Sequence, residues 1–354
     1  MPIFNIDISI YMVYFYNKSS PISIPHKFAF PSVFPPGRPP LLEEQNAMAS
    51  PHNRAIVLSV VNHKGGVGKT TTVINLAHAL VRYGKRQHRD YRVLVIDSDP
   101  QSNATSILFP NVQDITRAPT LANVYNERNP LSITQVITRT EIMNLDLIPS
   151  SISLFDVEPN LNVSGLGAQA LRIAMFDDAL LEHTEDGAFN YDLVLIDTPP
   201  NLGVFMLNSL MVSDFYLIPI DCGSYFALEG MQTLESRIQQ LKKICKNLRL
   251  LGYLPTILDN RTKVGQASLS RLRDLYREMI METTIGINTD LEKASFSRKT
   301  IFDYNAMSKG AVHYYALARE VARKCIETKP GNHTDIEEDE DLPAHESEQE
   351  ALAV

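Results

Sequence analysis

Asn62-His63-Lys64-Gly65-Gly66-Val67-Gly68-Lys69-Thr70-Thr71-Thr72 follows a short apolar, β-rich run, Ile56–Val61. It leads into Thr70–Tyr83, where apolar residues recur at helical spacing. A glycine-rich turn between a buried strand and a helix is the setting of a phosphate loop. Its glycines let successive backbone N–H groups converge on phosphate oxygens, and the helix start adds partial positive charge. Gly65, Gly66, Val67, Gly68, Lys69, Thr70 and Thr71 then form the cradle. Lys69 reaches the β- and γ-phosphates, and the Thr70 hydroxyl is a ligand for Mg²⁺. The strict spacing G-x-x-x-x-G-K-[ST] is not met, because His63 stands where its first glycine belongs. An additional lysine, Lys64, precedes the glycines instead, and His63 reads as a neutral residue that shapes the loop backbone.

Outward from the loop, short continuous apolar runs alternate with helical patterns. Val93–Ile96, Leu145–Ile148, Leu193–Ile196, Phe215–Ile220, Leu250–Pro255 and Thr283–Ile285 read as further strands. Helices are expected near 168–183, 204–212, 228–246, 264–281 and 306–327. Buried strands alternating with helices imply an α/β fold, a doubly wound and mostly parallel sheet flanked by helices. Residues 48–327 read as one such unit. Residues 1–47, rich in Phe, Tyr, Ile and Pro, show no sustained period. They are expected to be an irregular extension from an over-extended gene start, with Met48 as the true start; a disordered arm and an interfacial anchor are the alternatives.

Two of the strands end in acids. Val93–Ile96 runs into Asp97-Ser98-Asp99-Pro100, and Leu193–Ile196 into Asp197-Thr198-Pro199-Pro200. The carboxyl ends of strands are where α/β sheets bind ligands. Carboxylates there, beside a phosphate loop, are suited to hold Mg²⁺ and order a water.

These motifs, with Gln101–Thr105, Asn201-Leu202-Gly203 and Tyr225–Gly230, resemble the ParA/Soj family of deviant Walker A partition ATPases, P-loop NTPases of the ParA/MinD superfamily. The resemblance runs from about Ile56 to Ala322. It implies that ATP and Mg²⁺ are the cofactors and that Lys64 reaches across a homodimer to the partner's ATP. It also implies that Asp99 positions the attacking water, Asp97 supports the metal end, and Asp197 holds Mg²⁺ through water. Lys64, Lys69 and Asp99 are thus the expected catalytic residues, and Thr70, Asp97 and Asp197 the metal residues. Pro219, Asp221, Asn260 and Asn288 are candidates near the adenine. A lysine supplied in trans would make hydrolysis depend on dimerisation.

The resemblance further implies an ATP-bound dimer that binds DNA without sequence preference, and a ParB-like centromere-binding partner that stimulates hydrolysis. Such binding is phosphate neutralisation and is salt-sensitive. Arg261 matches a DNA-contacting arginine of the family, and Arg298 and Lys299 extend the basic face. Many relatives carry Pro-Arg-Asn-Val-Arg where this chain has Gly286-Ile287-Asn288-Thr289-Asp290, which loses two arginines. The stretch Arg82, Lys85, Arg86, Arg89, Arg92 is a second basic candidate, equally readable as a solvated turn. The alternative is an ATP-gated scaffold that positions a protein cargo.

Composition sets the remaining bounds. The 354-residue chain is 44% hydrophobic, enough for a sizeable core. Its three cysteines, Cys222, Cys245 and Cys325, are odd in number and widely spaced, against a disulfide framework or an iron–sulfur site. A reducing cytoplasm is expected, with nucleoid association in the ATP state. Net charge is −8, but residues 327–354 hold ten acids against one base, Lys329, so the rest is near neutral. Residues 328–354 read as an acidic, disordered tail, ill-suited to a membrane-binding helix. No uncharged apolar run is long enough to span a bilayer, so no membrane partner is expected.

Overall fold

The computed structural model describes residues 54–109, 115, 117–183, 190–223 and 231–327. The expectations for 1–47, the acidic tail and Tyr225–Gly230 lie outside these residues. The described residues form a seven-stranded sheet of β1 (Ile56–Val60), β2 (Val93–Asp97), β3 (Thr138–Arg139), β4 (Leu145–Ile148), β5 (Leu193–Asp197), β6 (Phe215–Asp221) and β7 (Arg249–Thr256). Its order is β3-β4-β2-β5-β1-β6-β7, and every pairing is parallel except β3 with β4.

The helices are α1 (Lys69–Arg86), α2 (Asn103–Leu108), α3 (Leu121–Val124), α4 (Leu154–Val163), α5 (Ala170–Asp177), α6 (Val204–Val212), α7 (Met231–Lys242), α8 (Lys263–Tyr276), α9 (Thr289–Phe296), α10 (Ile301–Asn305) and α11 (Lys309–Val321). A π-helical stretch, Ala322–Glu327, continues α11. Strand side chains alternate between two helical layers, as a period of two dictates. Leu58, Val95 and Leu195 pack with α1 and α11, whereas Val57, Leu94 and Ile196 pack with α4, α5 and α6. Beyond β1, Ile218 and Tyr253 pack with α7 and α8. Because both faces are covered, the central strands β1, β2 and β5 are buried at every position.

Two sheet-edge details differ from the sequence expectation. Residues 283–285 are not a regular strand. The segment runs beside β7 through isolated parallel bridges at Ile280 and Gly286, with Met281 N–H donating to Tyr253 O and Ile285 N–H to Pro255 O. β3, only two residues long and partly exposed, carried no apolar signal to read. The helices expected at 264–281 and 168–183 are shorter, ending at Tyr276 and Asp177.

β1 is flanked by β5 and β6, and the chain winds outward from it in both directions. The loop after β1 therefore sits at the topological switch point, the ligand-binding crevice of an open α/β sheet.

Candidate nucleotide site

The loop between β1 and α1 takes its shape from glycines at left-handed angles, Gly66 at φ +75° and Gly68 at φ +88°. A side chain at either position would be strained. Two side chains fasten the loop to the sheet, and a third, Thr198, holds the end of β1 that leads into it. Asn62 Nδ2 donates to Pro219 O at the end of β6 (2.8 Å), and its Oδ1 accepts from Lys64 N (3.0 Å). Thr256 Oγ1, at the end of β7, donates to Val67 O (2.9 Å). Thr198 Oγ1, just past β5, donates to Val60 O (2.7 Å). None of these anchors carries charge, so sequence reasoning had no chemical signal for Thr198 and Thr256; only their place at strand ends marks them.

Lys69 is the buried cation of the site, and its Nζ donates to Lys64 O at 2.9 Å. Burial lowers its pKa, while Asp197 and Asp99 oppose that shift. His63 is held neutral by burial and by the charges of Lys69 and Lys64. That accords with a backbone-shaping role rather than an acid–base one.

The expected acids come together on the adjacent strands β2 and β5, where Asp97 and Asp197 are register partners. Both are fully buried. Asp97 Oδ2 accepts from Thr105 N (2.8 Å) and Thr105 Oγ1 (2.7 Å), and its Oδ1 accepts from Asp99 N (3.1 Å). Burial still raises its pKa to about 6, against those hydrogen bonds. Neither oxygen of Asp197 accepts a hydrogen bond of good geometry, and the Thr70 hydroxyl beside it is its one side-chain donor. Burial pushes its pKa well up, Asp97 and Asp99 push it further, and Thr70 and Lys69 act the other way. Asp99 is also buried, with Oδ1 accepting from Gln101 N (2.9 Å).

A buried carboxylate without a well-formed hydrogen bond calls for a ligand, because an unpaired charge in the interior is costly. Asp197 beside the Thr70 hydroxyl fits a hard divalent cation that shares its remaining positions with water and phosphate oxygens. Among the described residues no three His, Cys, Asp or Glu side chains converge as a self-contained metal cluster. The donor set therefore suits a metal that arrives with a phosphate ligand.

The remaining predicted residues are more peripheral. Pro219 lies in β6, with its carbonyl taken by Asn62. Asn260 is exposed in the turn after β7, and its carbonyl accepts from Gln266 Nε2. Asn288 caps α9, its side chain accepting from Asp290 N (2.7 Å). The Leu258–Gly286 bridge brings the last two turns side by side at the carboxyl end of the sheet. Arg261 is exposed and forms a two-point pair with Asp259 (2.9 and 3.0 Å). Arg298 and Lys299 are exposed after α9. In the second basic stretch, Arg82, Arg86 and Arg92 lie over the rings of Phe302, Tyr315 and Tyr191, so they serve packing. The three cysteines are free and lie apart, with Cys222 and Cys325 buried. No helix among the described residues is long and apolar enough to cross a membrane.

Comparison with known proteins matches this geometry. A family model described as an AAA domain matches residues 55–250. The chain is 34% identical over 268 residues to the sporulation initiation inhibitor protein Soj of Bacillus subtilis, covering 75% of this chain and 98% of that protein. It is 32% identical over 276 residues to the chromosome partitioning protein ParA of Myxococcus xanthus, covering 77% and 90%. Among solved structures, cobyrinic acid a,c-diamide synthase from Mycobacterium smegmatis with bound ADP and magnesium superposes with a TM-score of 0.61 at 28% identity. That likeness covers 76% of this chain and 94% of the other. With its two-lysine phosphate loop, its paired strand-end acids and relatives matched along nearly their whole length, the chain belongs to the ParA/Soj family of deviant Walker A P-loop ATPases.

Proposed function

We propose that the chain is a DNA-partition ATPase that binds ATP with Mg²⁺, dimerises around it, and in that state binds DNA without sequence preference. A ParB-like partner then stimulates hydrolysis and release. The observation that carries the reading is Asp197, a buried carboxylate without a well-formed hydrogen bond, next to Lys69 and Thr70 at the switch point.

In this reading the amides of Gly65, Gly66, Val67 and Gly68 and the start of α1, with Thr71, receive the phosphates. Lys69 neutralises the β- and γ-phosphates, moving its ammonium from the Lys64 carbonyl it now meets. Thr70 and Asp197 hold Mg²⁺, with Asp97 bracing that end of the site, and the ion supplies charge neutralisation at the phosphates. Asp99 orders the attacking water. Lys64 serves the nucleotide of the second protomer, so turnover requires the dimer. Pro219, Asn260 and Asn288 border the base. Arg261, Arg298 and Lys299 meet DNA phosphates, with Arg261 exchanging Asp259 for phosphate. The departures at Ile287 and Asp290 make this face less basic than in relatives that carry arginines there.

The test is DNA binding by Asp99→Ala, which is expected to hold ATP without turning it over. Binding is measured with ATP, ADP or no nucleotide across a salt series. Binding that requires ATP and weakens steeply with salt supports the proposal. No binding in any nucleotide state would refute the DNA role and favour positioning of a protein cargo.

A further inference from the structure

The attacking water can be ordered only by a carboxylate whose own position is fixed. A displacement of about 1 Å in such a group costs up to ~100-fold in rate. Asp99 lies two residues beyond β2, and the last link holding this turn to β5 is Ser98 N–H donating to Asp197 O (2.9 Å). The Asp99 carboxylate accepts from Gln101 N (2.9 Å), and its main chain is held by side chains together with one turn amide. Its N–H donates to Asp97 Oδ1 (3.1 Å), and its carbonyl accepts from Ser150 Oγ (2.6 Å) and Ser102 N (2.9 Å). Ser150 follows β4, the strand on the far side of β2. Thr105 closes the ring: its hydroxyl donates to Asp97 Oδ2 (2.7 Å) and accepts from Ser150 N (2.8 Å). Thr105 and Ser150 are both fully buried.

We infer that Thr105 and Ser150 are positioning residues for hydrolysis: together with Asp97 they clamp the main chain of Asp99 through a closed hydrogen-bond ring. The inference rests on the proposed role of Asp99 as the group that orders the water. The Thr105 hydroxyl acts as donor and acceptor at once, which serine can reproduce and valine cannot. Ser150 contributes a single donor to the Asp99 carbonyl. Its removal frees that carbonyl from one of two donors and leaves the phosphate loop untouched.

The test compares full-length Ser150→Ala, Thr105→Val, Thr105→Ser and Asp99→Ala with the unaltered protein. It measures kcat and KM for MgATP, binding of a fluorescent ATP analogue, and Tm. Ser150→Ala is expected to lower kcat by about tenfold, about 1.4 kcal/mol in the barrier, with analogue affinity within about twofold of the unaltered protein. Thr105→Val should lower kcat at least as far, and Thr105→Ser should restore most of it. If Thr105→Val does not fold, Ser150→Ala, which deletes one hydroxyl, decides alone. An unchanged kcat in Ser150→Ala, with Asp99→Ala inactive, overturns the clamp and leaves the role of Asp99 standing. An unchanged kcat in Asp99→Ala overturns both. Parallel losses of kcat, analogue affinity and Tm would show a merely structural pair and overturn the inference.

Discussion

Asp97 and Asp197 occupy the same place in two copies of one pattern, an apolar strand that ends in an acid. They are register partners on adjacent strands and equally buried. Their surroundings are opposite. Asp97 accepts three hydrogen bonds from Thr105 and Asp99, and Asp197 accepts none of good geometry. One strand-end acid is thus saturated by protein donors, and the other is left poorly paired, as the proposed metal-binding role of Asp197 requires. An unsatisfied buried carboxylate weakens the folded protein by itself, and that cost is offset only when something binds. The difference therefore predicts different responses to substitution from two residues whose local sequences look alike.

Removing the cation that both Asp197 and Asp99 face gives the largest expected effect on ligand binding. Lys69→Ala should weaken ATP binding by on the order of 100-fold, measured by calorimetry, because it deletes a charge-assisted contact to phosphate. A variant that binds ATP normally would remove Lys69 from the site. Next, Asp97→Asn should lower stability by about 2 kcal/mol in urea titrations. Whichever way the amide turns, its NH₂ faces an N–H donor, from Asp99 or from Thr105. Equal stability to the unaltered protein would mean that the brace does not hold.

A buried titratable group away from the loop extends the comparison to pH. His78 Nδ1 meets Thr300 Oγ1 (2.8 Å), and burial lowers its pKa to about 4 from 6.5, with Asp303 opposing and Arg82 assisting. The unfolded chain then takes up a proton that the folded chain does not. Stability should be full above pH 6.5 and fall as the pH drops from 6.5 toward 4, by roughly 3 kcal/mol. His78→Gln should flatten that part of the pH–stability curve; an unchanged slope would assign it to other groups. The smallest effect is expected at Asp214, a paired acid before β6. It accepts from Val57 N (2.9 Å) and pairs with Arg54. Asp214→Asn should cost about 1 kcal/mol, read from the shift in Tm, and a loss as large as that of Asp97→Asn would blur the distinction between the buried brace and this half-buried pair.

Legibility in the sequence followed burial. The central strands and α1 were readable because strands covered on both faces are continuously apolar, and because glycines and Lys69-Thr70 mark the loop directly. The sheet edge was less readable, since 283–285 has strand-like residues but pairs only through isolated bridges. α4 went unread because Pro159 stands inside it, where proline argues against a helix. The acids of the site were legible as a set, but not the contrast between them. That contrast depends on Thr105, which belongs to a recognisable motif, and on Ser150, which arrives from β4 with no local signal. Likewise, the basic run from Arg82 to Arg92 was readable equally as a DNA surface or as a solvated turn. Arg82, Arg86 and Arg92 lie over Phe302, Tyr315 and Tyr191, partners that only the tertiary fold supplies.

The most direct test of the contrast is thermal unfolding of Asp197→Asn with and without MgATP. The nucleotide-free variant is expected to be at least as stable as the unaltered protein, because an amide carries no charge at a position where burial and the neighbouring acids already disfavour one. The rise in Tm on adding MgATP is expected to be lost. A variant that is destabilised without nucleotide, or that keeps the MgATP-induced rise, would contradict the assignment of Asp197 as the open acid of the site.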